Sequence, residues 1–205
     1  MLVNKLICGA LIFILISCAT SKEIVSSVPS EKTKIPDLKP PEGVLTIADI
    51  TVGKSTLIEA SQKFHGGEVH KSGDAGASVR RLCYIGKDGT ALTLESGEMG
   101  GQAGLITSAK LSLSKELPYK RNCSKNAAIS QKTAFKQGLG LSKPSHWVRE
   151  TLGTPTKETS DSVFYFFQNT EKDGEKSKEV LSTIEVKTLN GKVIEASVFQ
   201  VAERY

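Results

Sequence analysis

Apolar residues recur along the chain with two different periods. Leu57, Ala60, Ser61 and Phe64 share one helical face over 56–64, and Trp147, Val148, Thr151 and Leu152 share another over 144–152. Elsewhere the period is two. Segments 81–85, 91–95 and 109–113 follow the first helix, and 163–167, 181–186 and 193–201 follow the second; all read as strands. Turn signals separate them: Lys87-Asp88-Gly89 in the first set and Asn190-Gly191 in the second. Thr56 and Glu59 have the spacing of a capping box, Pro144 suits a first helical turn, and Gly66-Gly67 and Gly153-Thr154-Pro155 end the two helices. Neither helix is long enough to bury a core alone, so each must lie across a sheet. The expectation is an α+β fold of two tandem units, 44–125 and 126–205. Each is a short helix packed on a three- or four-stranded antiparallel sheet, and the two units stand side by side.

The first 43 residues do not follow either pattern. An apolar run over 6–16, preceded by Lys5, is shorter than the roughly 20 residues a membrane span needs. It reads as the core of a signal peptide, residues 1–17. Leu15-Ile16-Ser17-Cys18 resembles the lipobox of bacterial lipoproteins. That resemblance implies cleavage before Cys18, a diacylglyceryl group on its sulfur and two or three acyl chains in the mature form, such as palmitate. Two chains make a membrane anchor stable. Ala19 stands where an Asp would imply retention at the inner membrane, so the resemblance implies an outer-membrane lipoprotein facing the periplasm. Residues 18–43, rich in Ser, Lys and Pro without apolar periodicity, then form a flexible tether.

Export changes the reading of the cysteines. Cys8 falls in the removed segment and Cys18 is lipidated, which leaves Cys83 and Cys123 in an oxidising compartment. A disulfide is the simple expectation, with two buried thiols as the alternative. His65, His70 and His146 have no ligand spacing with these cysteines or with one another, so no metal site is expected. The formal net charge, +5 over 205 residues, is spread along the chain and forms no basic stripe for nucleic acid.

Little of the sequence suggests catalysis. Gly53-Lys54-Ser55-Thr56 imitates the end of a phosphate-binding loop, but Ala48 stands where the first glycine is required, and no nucleotide or other cofactor is expected. Helix entry explains these residues better, and capping explains Ser55, Ser142 and Ser145 better than nucleophilic chemistry. The glycine-rich stretch 97–104 reads as a connector, and the charged stretch 171–179 as a solvated hairpin tip. The aromatics Phe164, Tyr165, Phe166 and Phe167 occupy both faces of one strand. The helix needs only one face. The other packs the sister unit or forms a binding patch, with Trp147, Tyr165 and Phe167 as the candidate partner anchors.

The second unit is similar to the domain of small BamE-type (SmpA/OmlA) outer-membrane lipoproteins. The stretches that carry the likeness are Gly140-Leu141-Ser142, residues 148–155, the aromatic strand and residues 184–193. The doubled unit also resembles the tandem architecture of the β-lactamase-inhibitor protein. The first unit departs from the pattern, with Gly66-Gly67 where Gly-x-Pro is usual and with longer loops. The resemblance implies a protein without a catalytic centre that binds another envelope protein. It would act as an adaptor in outer-membrane assembly or maintenance or, alternatively, as an inhibitor of an envelope enzyme.

Overall fold

The computed structural model describes residues 38–74, 77–97, 104–173 and 176–204. The expected signal peptide, Cys18, most of the expected tether and most of the glycine-rich stretch lie outside the described residues. The fold is α+β, with a large antiparallel sheet and, among the described residues, two α-helices.

A two-residue hairpin comes first: β1 (Thr46–Ile47) and β2 (Ile50–Thr51), with Ile47 paired to Ile50. Its loop residues Ala48 and Asp49 both take positive φ, 46° and 60°, as a type I′ turn requires. An L-residue pays for that conformation at Ala48. Ala48→Gly should therefore raise stability by about 0.5–1 kcal/mol, read as a higher urea midpoint at unchanged slope.

Helix α1 (Leu57–Lys63) starts with both halves of the capping box. The Glu59 N–H donates to Thr56 Oγ1 at 3.2 Å, and the Thr56 N–H donates to Glu59 Oε2 at 2.7 Å. Leu57 and Ala60 face inward, and seven residues of helix persist because that face is packed. β3 (His70–Ser72), β4 (Val79–Ile85), β5 (Thr90–Gly97) and β6 (Ser108–Leu113) follow, all antiparallel neighbours. β7 (Ser124–Lys125) adds a short parallel pairing to β4. Helix α2 (Ser145–Leu152) has Pro144 at its N-cap and no side-chain cap, so the serines expected to cap it do not. β8 (Lys157–Glu158), β9 (Ser162–Asp173), β10 (Lys176–Leu189) and β11 (Lys192–Arg204) complete the chain. Asn190 and Gly191, at φ 51° and 72°, make the β10–β11 turn read from their sequence.

The order helix, then three-strand meander, thus occurs twice. The meanders β4-β5-β6 and β9-β10-β11 share one nine-stranded sheet among the described residues. They meet antiparallel through their third strands, with Ala196 opposite Leu111 and Val198 opposite Ala109. Both helices and the β1–β2 hairpin cover one sheet face. Leu82, Leu92, Leu111, Val198, Ile184 and Tyr165 line a single core there with Ile47, Leu57 and Val148. The strands of the second meander run well past the expected 163–167, 181–186 and 193–201. The charged stretch after residue 170 continues the ladder instead of leaving it, with Lys178 paired to Glu171 at 3.3 Å across the strands.

Tyr84 shows how closely the first helix end is packed. Its hydroxyl donates to the Gly66 carbonyl at 2.6 Å and its ring packs on Phe64, centroids 4.7 Å apart. A Cβ at Gly67 would fall 2.8 Å from the Tyr84 hydroxyl, and Gly66 has open space but a φ of 122°, so the two glycines are needed for different reasons. Burial pushes the phenol up to about 12, against a smaller opposing hydrogen bond from Ser61. The fold therefore favours the neutral phenol. That contribution is complete below the ordinary value of 10 and is lost as pH rises through 12. Tyr84→Phe should flatten the alkaline limb of a stability-against-pH curve, at a cost of about 1 kcal/mol at neutral pH.

Candidate functional site: the open sheet face

The sheet face opposite the helices differs between its two halves. On the first half, Cys83 and Cys123 are bridged, 40 residues apart in sequence. The bridge holds the segment 114–123 over β4 and β5, where Leu117 packs with Cys83 and Ala91, and Tyr119 lies beside them. The Arg81 guanidinium sits 3.9 Å from the Tyr119 ring centroid while its Nε donates to Glu95 at 2.7 Å. This half is closed.

On the second half, no described segment crosses the face of β9, β10 and β11. Alternation and register put Phe166, Thr183 and Phe199 in one cross-strand row there. Phe164, two residues along β9, stacks on Phe166 with centroids 6.2 Å apart and planes 5° from parallel. Phe199 is 39% exposed, whereas Phe166 is 6% exposed although it belongs to no core cluster of the helix side. Leu181 and Val201, paired across β10 and β11 and half-buried, extend the apolar strip.

A band of charge borders the strip. Glu195 accepts from Lys187 at 3.0 Å and lies 3.8 Å from Lys110; Lys187 is also 3.9 Å from Glu185. The band crosses the β6–β11 junction and is charge-balanced, two lysines to two glutamates. Burial raises the Glu185 carboxyl above its usual range, opposed by Lys187 and reinforced by Glu195. Burial acts to lower Lys187, but its hydrogen bond to Glu195 and the charges of Glu195 and Glu185 outweigh that and raise it. A surface of this kind offers aromatic contact area beside fixed, mutually satisfied charges, as protein interfaces do.

The residues singled out from sequence lie elsewhere. Tyr165 and Phe167 alternate with Phe164 and Phe166, so they point to the helix side, where they are 2% and 6% exposed. The Tyr165 hydroxyl donates to the Gly153 carbonyl at 3.4 Å, tying β9 to the end of α2. Trp147 packs against the edge of the core with Lys143 Nζ 5.2 Å above its ring, and its ring is 3.3 Å from where a Cβ on Gly138 would be. These three residues build the second helix–sheet contact. The exposed aromatic of this face, Phe199, is not among them, yet its position carries a signal. It lies in the polar phase of β11, with Glu195 and Ser197, where alternation alone calls for a polar residue. Ser55 accepts from the Thr51 N–H at 3.0 Å, and Gly53-Lys54-Ser55-Thr56 enters α1.

No protein-family model, no curated protein and no solved structure matches the chain.

Proposed function

We propose that this protein is an outer-membrane lipoprotein, anchored through acylated Cys18, that binds another envelope protein through the open face of β9–β11. The observation that carries the reading is the exposed Phe199 in a row with Thr183 and Phe166 on a sheet face that no described segment crosses, while the equivalent face of the first meander is closed by its disulfide-held segment. We further take 44–125 and 126–205 to be two copies of one unit. The repeated order of helix and meander and their antiparallel meeting at β6 and β11 support this. In this reading the second copy kept its outer face for a partner and the first gave its own up to the 114–123 segment. An inhibitor that plugs an enzyme with a face spanning both copies is favoured less, because that segment interrupts the face.

Two measurements test the proposal. The intact mass of protein purified from its native membrane should show residue 18 as the first residue, carrying acyl chains. Phe199→Ser should then reduce recovery of the co-purifying partner about tenfold, the effect of removing one central aromatic anchor, while the thermal midpoint falls by no more than about 4 °C. An unmodified N-terminus at Met1 contradicts the anchor, and undiminished recovery contradicts the face.

A further inference from the structure

The outer face of the first meander is covered by the chain's own linear segment. After Leu113 the chain leaves β6 and crosses β5 and β4 over 114–123, with only short 3₁₀ turns at Ser114–Glu116 and Lys120–Asn122. Its buried anchor, Leu117, packs on Ala91 and Cys83, with Ile85 at the rim. The segment then runs beside β4 as β7, where the Asn126 N–H donates to the Ile85 carbonyl at 2.9 Å.

Two tyrosines set the meanders in correspondence. Tyr84 on β4 and Tyr165 on β9 each donate a hydroxyl to the carbonyl of a glycine after the preceding helix, Gly66 at 2.6 Å and Gly153 at 3.4 Å. Matching them matches Cys83 with Phe164 and Ile85 with Phe166. The strand registers extend the match: the row Ile85–Ala91–Ser112 corresponds to Phe166–Thr183–Phe199. Thr183 thus stands where Ala91 stands. It is half-buried, with a phenylalanine on either side in its row and Phe164 stacked on Phe166, so it forms the floor of a shallow aromatic socket. Leu117 occupies the corresponding place on the first meander. On the second, β11 does not leave the sheet as β6 does; it stays paired with β10 as far as Arg204 opposite Lys178. The backbone beside the socket is open as well. The Phe164 carbonyl accepts from the Thr156 N–H at 2.8 Å, and the Phe166 N–H donates to Thr156 Oγ1 at 3.1 Å. The Phe166 carbonyl, which matches that of Ile85, accepts from no described residue.

We infer that the partner covers this face with a linear, non-helical segment that crosses β11, β10 and β9 as 114–123 crosses β5 and β4, one aliphatic side chain seated over Thr183 between Phe166 and Phe199 and a backbone N–H meeting the Phe166 carbonyl. The inference rests on the reading of the open face as a docking surface and of the two units as copies, and it names what docks. Main-chain pairing at a strand supplies affinity, and a pocket for one side chain supplies specificity.

The test is photo-crosslinking in intact cells, with benzoylphenylalanine at position 199 on β11 and, in a second strain, at position 168 on β9. Mass spectrometry of the adducts should place both captured sites in one partner, within about ten residues of each other, the span of chain that crosses a few strands. The site captured from 168 should be the more C-terminal, because 114–123 runs from its third strand to its first. Thr183→Leu fills the socket while leaving the face apolar. It should lower the adduct yield from position 199 about tenfold, with the fold checked by the thermal midpoint. Thr183→Val keeps the size of the floor and should leave the yield unchanged. Captured sites far apart in the partner's sequence or in reverse order, a yield undiminished by Thr183→Leu, or an equal loss with Thr183→Val overturns this inference and leaves the open face as the docking surface. No adduct from position 199 overturns both.

Discussion

Replacing both bridged cysteines, Cys83→Ser with Cys123→Ser, should lower stability by about 4 kcal/mol. The bridge closes a loop of 40 residues, and the chain-entropy cost it removes from the unfolded state is of that size. For a domain of this length the thermal midpoint should fall by about 8–16 °C. The bridge also fastens the 114–123 segment over β4 and β5. Its loss should therefore uncover Ala91 and Leu117 and slow no step on the helix side, where the main core is untouched. Guanidinium denaturation of wild type with and without dithiothreitol checks this. The reductant should reproduce the effect of the double substitution in wild type and do nothing to the variant. Equal midpoints for all four samples would mean that the two sulfurs are not joined.

Phe167→Ala should cost about 3–5 kcal/mol, because the ring is buried at the heart of the second helix–sheet contact and truncation leaves a cavity. Phe199→Ala, on the opposite side of the sheet, should cost only about 1 kcal/mol, since 39% of the residue is already in water and truncation opens no enclosed cavity. The contrast separates a residue that holds the fold from one available to a partner, although both are phenylalanines of the same three-strand meander. Urea unfolding of the two variants side by side checks it. A loss of several kcal/mol at Phe199 would show that its row supports the fold and is not spare.

Most of the fold could be read from local signals. The Thr56–Glu59 capping box, the stripe of Leu57, Ala60 and Phe64, and the Asn190-Gly191 turn act within a few residues, so the sequence around them suffices. The pairing of β6 with β11 joins Ala109 to Val198, and nothing near either residue marks the other; that contact is non-local and emerges only when both meanders exist. The ends of β9 and β10 were hidden for a related reason. Glu171 and Lys178 look like loop residues singly, and become strand residues because they face each other. The candidate face was half legible. Four successive aromatics put rings on both sides of β9, but which parity met the helices depended on the register of β9 with β10. Tyr165 and Phe167 took the inside, opposite Ile184 and Ser182. Phe199 was visible as an aromatic in a polar phase, a weaker signal than a cluster but the one that marks the surface.

The central claim is that the open face of β9–β11 meets another protein, and site-specific photo-crosslinking in intact cells tests it most directly. Benzoylphenylalanine would replace Phe199 in one strain and Ile58 in another. Ile58 is 68% exposed on α1, on the far side of the sheet, and serves as the surface control. The account predicts one discrete heavier adduct from position 199 after irradiation, and none from position 58. Adducts of equal yield from both positions, or none from position 199, would contradict it.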